Sequence, residues 1–281
     1  QPLPIETRLH LVLFPGQRAA LDPTLDRLGV QVLAEGRSPF GPLLTVQAPP
    51  DSLVTLAQRA EIQRIEVARP RLLANDLSRL RVGVTTNATT SGTNYLQLSG
   101  RGVIVNINDT GVDQNHPGLR GRVYTTDPNG FTLQDLDGHG THVAGTLAGS
   151  GALSETVTNA SGSPTNAWFS GMAPEAELFV LPVDVVTGPL VSDTYLQETA
   201  AREYFLQRKG MNALISNNSW TYDGLNEYDI AAASFDAAVR DALPDVAGAQ
   251  PILFVFGAGN NGYGLDDGTG GDYNSVLSPA T

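Results

Sequence analysis

The chain has 281 residues, 41% of them hydrophobic, with no stretch of about 18 continuously apolar residues, so it reads as a globular chain of one large or two smaller domains that does not cross a membrane. It contains no cysteine, which excludes disulfides, thiolate zinc sites and a thiol nucleophile. The formal charge of −12 is unevenly spread: residues 1–74 carry eight arginines against seven acids, whereas residues 75–281 carry nine basic residues against 22 acids, and so acidic a body repels nucleic-acid phosphate.

In chain order, Leu9 to Phe14 is a strand-like run closed by Pro15-Gly16. A helix follows over Asp22 to Leu28 and stops at Gly29; Val30 to Leu33 then alternates as a second strand. Pro39-Phe40-Gly41-Pro42 makes a turn into a third strand, Leu43 to Gln47. Pro50-Asp51-Ser52 caps a helix running through Ala60, and Ile62 to Val67 is a fourth strand. The order βαββαβ predicts a small ferredoxin-like α+β unit over residues 1–74, with helices on one face. Arg69-Pro70-Arg71-Leu72-Leu73-Ala74 reads as an extended exit strand, because the residue before proline is pushed out of the helical region. Its slight positive balance suits docking on the acidic body.

Past Asn75 the pattern changes. Thr85 to Gly102 is a polar, glycine-containing loop, and Val103 to Asn108 is a strand that delivers Asp109 at its carboxyl end. Further strands are predicted over Leu178 to Val183, Ala213 to Ser216 and Ile252 to Phe256. Helices are predicted over Val143 to Ala148, Thr194 to Lys209 and Ile230 to Leu243. Nearly apolar strands alternating with helices imply an α/β fold, a parallel sheet with helices on both faces. Such sheets carry their chemistry beyond the carboxyl ends of the strands, where Asp109 and Asn260 fall. Gly140, Ala144, Gly145 and Ala148 leave the helix after His139 small enough to pack closely on the sheet.

Taken singly, these residues have plainer readings. Asp109-Thr110-Gly111 is also a strand-terminating turn, His139 and His142 are spaced as a metal-binding pair, and Asn260 among glycines is an ordinary turn residue. Together they are harder to dismiss. Asn108-Asp109-Thr110-Gly111-Val112-Asp113, Asp137-Gly138-His139-Gly140-Thr141-His142-Val143-Ala144-Gly145-Thr146, Gly171-Met172-Ala173-Pro174, Gly259-Asn260 and Leu277-Ser278-Pro279-Ala280-Thr281 resemble, in order and context, the subtilisin-like serine proteases, or subtilases. Asn75-Asp76-Leu77-Ser78-Arg79 and Asn217-Asn218-Ser219-Trp220 resemble most the branch of oxidant-resistant alkaline proteases from bacilli.

The resemblance implies an Asp-His-Ser triad with Asp109 as orienting carboxylate, His139 as general base and Asn260 as oxyanion donor. With no third metal ligand near the pair, His142 reads as structural. Ser219-Trp220-Thr221 and Gly257-Ala258-Gly259 match the segments that take up an extended substrate as an added strand. Thr221 stands where the family usually has glycine, and Trp220 suggests a bulky subsite wall. Residues 1–74 resemble the family's inhibitory, folding-assisting propeptide, cut between Ala74 and Asn75, with Leu72-Leu73-Ala74 in the cleft. Residues 75–281 are then the front part of the catalytic domain.

No Gly-Thr-Ser-x-Ala nucleophile segment occurs; Ser170-Gly171-Met172-Ala173-Pro174 matches a structural turn of the family instead. The serine is therefore expected downstream or on a second chain. The alternatives are a catalytically dead peptide-binding relative, or a folding or inhibitory module acting in trans through residues 1–74. A front part by itself is expected to leave sheet uncovered. Asp266, Asp267 and Asp272 suggest structural calcium, as in subtilase loops. No basic, apolar leader precedes Gln1, so any signal peptide has been removed, and the resemblance implies secretion.

Overall fold

The computed structural model describes residues 7–68, 71–73, 98–127, 131–157, 168–183, 191–207, 215–224, 226–260 and 275–281. The first unit comprises β1 (Thr7–Leu13), α1 (Arg18–Leu28), β2 (Gln31–Ser38), β3 (Gly41–Ala48), α2 (Ser52–Ala57) and β4 (Ile62–Val67). These strands form an antiparallel sheet in the order β2-β3-β1-β4, the ferredoxin-like arrangement. Alternation along β1 sends Leu9, Leu11 and Leu13 to one face, where they pack with Leu21, Leu25, Leu44, Val46 and Leu56 from the helices and β3. Burying each such leucine contributes about 2 kcal/mol. The hairpin between β2 and β3 is tighter than the four-residue turn predicted, since Ser38 already pairs with Gly41. Gly41 has φ 146°, and a Cβ there would run into the Leu13 carbonyl oxygen, so glycine is required.

Strand β2 runs to Ser38 rather than ending at Leu33, and two helix boundaries also differ from expectation. Helix α1 starts at Arg18 rather than Asp22 and carries Pro23 inside it, whereas α2 stops at Ala57 rather than Ala60. The missing N–H of Pro23 costs one bond in a helix pinned by buried Leu21 and Leu25, so the helix extends a full turn ahead of it.

The second unit is built on a parallel sheet in the order β11-β9-β6-β8-β7. Its strands are β6 (Ile104–Asp109), β7 (Val123–Tyr124), β8 (Glu177–Pro182), β9 (Ile215–Asn218) and β11 (Leu253–Phe256). Helix α3 (His139–Ala148) covers one face with Ala144 and Ala148 against Val105, Ile107, Leu178 and Val180. Helices α4 (Asp193–Arg202) and α5 (Ile230–Arg240) cover the other, around Phe179, Leu196, Trp220 and Phe235. The sheet is thus α/β with helices on both faces, as predicted. Gly145 is the exception among the small α3 residues, since a Cβ there would meet open space and its size serves no close approach.

Strand β6 is less apolar than its run of Val and Ile suggests. Asn106 and Asn108 are fully buried opposite Ser216 and Asn218 of β9. Ser216 Oγ donates to Asn106 Oδ1 at 2.7 Å, and Asn108 Nδ2 donates to Asn218 Oδ1 at 2.7 Å. Buried hydrogen bonds of this kind lock register, because a slip would break them and leave more amide groups buried without partners. They fix where β6 ends, and hence where Asp109 sits.

The two units touch through the face of the first sheet opposite α1 and α2. Arg37 on β2 forms an ion pair with Glu198 of α4, Nε to Oε1 at 3.0 Å, and Glu66 Oε2 on β4 accepts from Ile230 N at the start of α5. Beyond β4, β5 (Arg71–Leu73) leaves the first unit and pairs antiparallel with β10 (Trp220–Tyr222) of the second. Ala74 and Asn75, most of the predicted 85–102 loop, and Asp266, Asp267 and Asp272 lie outside the described residues. No described helix is long and apolar enough to cross a membrane. On the sheet edge, β11 turns Phe254 and Phe256 toward the α5 core but leaves Leu253 57% and Val255 46% exposed.

Candidate active site

Asp109 ends β6 with its side chain wholly removed from solvent, and an anion in that position needs donors. Its Oδ1 accepts the Thr110 N–H at 2.8 Å and lies 2.7 Å from Nδ1 of His139. His139 opens α3 from the facing side of the cleft. Its other ring nitrogen, Nε2, has no hydrogen-bond partner among the described residues. A neutral imidazole that donates from Nδ1 to a carboxylate presents Nε2 as a bare acceptor, which is the form that takes a proton from a hydroxyl.

Burial by itself lowers the His139 pKa, yet the hydrogen bond and charge of Asp109, with the charges of Asp137 and Asp135, outweigh it and raise the pKa above its ordinary value. A base raised in this way holds a proton more firmly once it has received one.

Sequence reasoning missed the residue that joins the two halves of this pair. Asp135, with a left-handed φ of 47° and only 8% exposed, places its carboxylate between the end of β6 and the start of α3. Oδ1 accepts from Thr110 Oγ1 at 2.8 Å and Gly138 N at 3.0 Å; Oδ2 accepts from Thr141 N at 2.7 Å and Thr141 Oγ1 at 2.5 Å. Thr110 Oγ1 in turn accepts from Gly140 N at 2.9 Å, and Thr141 Oγ1 from Asp113 N at 2.9 Å. Burial pushes the Asp135 pKa up, but these bonds outweigh it and hold the carboxyl below the usual range. The signal lay in the sequence as an aspartate four residues before the helix-opening histidine, followed by Thr two residues after it.

Gly140 permits the close approach. A Cβ there would overlap the Gly111 carbonyl oxygen and press on Asp109 Cβ, so no side chain fits between α3 and the turn after β6.

The remaining expected residues are distributed as follows. Asn260 is exposed just past β11, on the same carboxyl edge of the sheet as Asp109. With β9 between β11 and β6, about 10 Å separates the two strand ends. Gly257 N donates to Asn218 O at 3.0 Å, and Ala258 O accepts from Leu277 N at 3.0 Å, so this segment is tied to its neighbours. Ser219 precedes β10, and Trp220 and Thr221 lie in it; Trp220 pairs with Leu73 and Thr221 with Leu72. The expectation that Trp220 walls a subsite is wrong: it is 0% exposed, with its ring edge-on to Phe256, Tyr222 and Phe235 at 5.4, 5.6 and 6.1 Å. An indole of that size gains more from the core than from a rim. His142 is exposed on α3. Among the described residues no group of three His, Asp or Glu is placed to hold a metal ion.

The sequence matches the subtilase family, peptidase S8, over residues 100–281. The chain belongs to that family. It is 32% identical over 193 residues to an intracellular serine protease of Paenibacillus polymyxa, covering 65% of this chain and 50% of that one. It is 30% identical over 193 residues to subtilisin DY of Bacillus licheniformis, covering 64% of this chain and 53% of that one. This subtilase thus spans about half the length of the curated relatives it matches. Its fold is shared with fervidolysin from Fervidobacterium pennivorans, with a TM-score of 0.53 at 20% identity over 91% of this chain and 40% of that one. The epidermin leader peptide processing protease of Staphylococcus aureus gives a TM-score of 0.52 at 17% identity, covering 93% of this chain and 62% of that one. The expected secretion does not stand, because relatives in both P. polymyxa and Bacillus subtilis are named intracellular serine proteases.

Replacing Gly140 with alanine should lower the unfolding free energy by about 1–3 kcal/mol, the range for overpacking a tight contact, read as the shift in the urea midpoint at constant slope. An unshifted midpoint would mean that α3 and the Gly111 turn are not in this close contact.

Proposed function

We propose that this subtilase is the N-terminal part of a serine endopeptidase whose first unit inhibits it in cis. The observation that carries the reading is His139, held at Nδ1 by buried Asp109 and with no hydrogen-bond partner at Nε2 among the described residues. In the proposed reaction a serine hydroxyl passes its proton to His139 Nε2 as its oxygen bonds to the substrate carbonyl carbon. The carbonyl π electrons move onto oxygen, where the Asn260 amide donates a hydrogen bond. The C–N bond then breaks, His139 returns the proton to the leaving amine, and water hydrolyses the acyl-enzyme by the same steps.

The serine is proposed to come from polypeptide beyond these 281 residues. The exposed Leu253 and Val255 on edge strand β11 and the half-length match to the relatives support this. Residues 1–74 are proposed as propeptide because β5 occupies, as an added antiparallel strand, the β10 edge expected to receive substrate. The sequences around Asn75 and Asn217 support a place near the oxidant-resistant branch, and the Asp266, Asp267 and Asp272 carboxylates support a calcium site. A catalytically dead peptide-binding relative is the competing reading.

The full-length protein should cleave casein, and His139→Ala should lower kcat by about 10⁵ or more. Binding without cleavage in the parent protein would favour the competing reading. N-terminal sequencing of the active species should begin Asn-Asp-Leu-Ser, and a different start would displace the proposed junction.

Because His139 must be neutral to act as base and its neighbours raise its pKa, kcat/KM should fall with decreasing pH through a midpoint above 6.5. Asp137→Asn, which removes one of those charges from an exposed site, should move that midpoint downward. A midpoint insensitive to Asp137 would contradict the electrostatic account.

A further inference from the structure

The face of the N-terminal sheet turned away from α1 and α2 meets the second unit where α5 begins. Alternation along β4 puts Glu66 on that face, directly opposite His10 of β1, with its side chain 18% exposed. Glu66 Oε2 accepts from Ile230 N at 3.4 Å, in the first turn of α5. That helix start is already met by a carboxylate of its own. Asp229, its N-cap and only 8% exposed, accepts through Oδ1 from Ala232 N at 2.9 Å and from Ser278 Oγ at 2.6 Å. A helix N-terminus carries about half a positive charge, so two ionised carboxylates brought to it when the units dock leave a net negative charge in a place with little water.

Other charged and titratable groups reach Glu66 from each element packed here. Arg64, two residues before it on β4, forms an ion pair with Glu66 but is half exposed, so its charge is screened. His10 from β1, Arg37 from β2, Asp193 from α4 and Tyr222 from β10 line the same cavity as Glu66 and Asp229, and Arg37 is paired with Glu198 of α4. Burial, with the Asp229 charge, outweighs Arg64 and the Ile230 N–H and raises the Glu66 pKa above its ordinary value. Undocked, the same carboxyl stands in water with no Asp229 before it. The docked form therefore binds the proton more tightly. Its contribution to docking is fully present below the ordinary value of 4.5 and is lost as pH rises through the docked value, which lies above that. A proton on His10 acts with the same sign, because it adds a cation to a cavity lined by Asp229 and Asp193.

We propose that Glu66 is a proton-operated latch on the N-terminal unit: protonated, it lets the unit lie against Asp229 and the start of α5; ionised, it sets two like charges against each other and loosens the unit. Because β5 continues from that unit onto the β10 edge, loosening the unit also loosens the strand that covers the groove. The inference rests on the reading of residues 1–74 as a propeptide that inhibits in cis, and it adds the condition under which inhibition eases, namely rising pH.

The test uses the full-length protein carrying His139→Ala, which keeps the chain uncut, and amide hydrogen exchange between pH 4.5 and 8, each rate corrected for the intrinsic pH dependence of exchange. Opening is read on Ile230 and on the β5–β10 ribbon, whose backbone groups join the two units. It should rise by about fivefold or more across that range, since each unit of difference between docked and undocked pKa is worth about tenfold. Amides of β1 with β3, and of β6 with β8, should keep their protection, which separates undocking from unfolding in every variant. Glu66→Gln should cut the rise to about twofold or less, and adding His10→Gln should abolish the remainder. Opening that is level with pH, that grows toward acid, or whose rise survives Glu66→Gln overturns the latch. No cleavage enters this measurement, so a chain that loosens with pH yet leaves casein uncut keeps the latch as a docking device and loses the endopeptidase reading.

Discussion

A carboxylate placed wholly out of water at the end of a parallel strand is the constraint on which the rest of this structure depends. A carboxylate removed from water needs donors, and Asp109 Oδ1 is shared between the Thr110 N–H and the His139 imidazole, whereas Oδ2 has no partner among the described residues. Meeting that need requires α3 to start against the β6 turn. Gly140 leaves room for the approach, and the Asp135 carboxylate clamps it by binding both Thr110 and Thr141. The buried Asn106, Asn108, Ser216 and Asn218 amides and hydroxyl act one layer deeper, setting the register of β6 against β9 so that the aspartate arrives where the histidine waits. Several polar groups buried together are costly if any goes unpaired. The Asn108 Nδ2–Asn218 Oδ1 and Ser216 Oγ–Asn106 Oδ1 bonds hold this group in one geometry, although Asn108 Oδ1 itself has no partner among the described residues.

The same economy of contacts links the two units. Docking through the Arg37–Glu198 pair and Glu66 against the α5 start is modest, since part-exposed ion pairs contribute only about 1 kcal/mol or less. What makes the association consequential is β5, which continues from the N-terminal sheet into the groove and uses backbone hydrogen bonds on β10. The N-terminal unit has a leucine core of its own, separate from the cores of the second unit, and β5 finds its strand partner in β10 rather than in the N-terminal sheet.

Much of this was legible in the residues. The βαββαβ order followed from turn residues and alternation, and the parallel sheet from apolar runs alternating with helices. Asp109 and His139 stood out because each sits where a strand ends or a helix begins. What escaped the sequence depended on tertiary context. Trp220 was read as a rim residue because an aromatic next to a substrate strand suggests a wall, but its ring is surrounded by Phe235 and Phe256 from distant parts of the chain. Asn106 and Asn108 look like breaks in an apolar strand until β9 supplies their partners. The three-residue β10 is too short to announce itself by period, and its pairing with β5 spans about 150 residues. Asp135 was passed over because aspartates before a helix are commonplace; only the fold shows four donors converging on this one.

The central claim is that Asp109 fixes the His139 tautomer, with the proton on Nδ1 and Nε2 bare. Nitrogen chemical shifts of His139 in selectively ¹⁵N-labelled protein, recorded above its titration midpoint, test this directly. Nδ1 should carry the proton and Nε2 should show the shift of an unprotonated ring nitrogen, with Asp109→Asn abolishing that preference. A proton found on Nε2, or a tautomer indifferent to Asp109, would contradict the account.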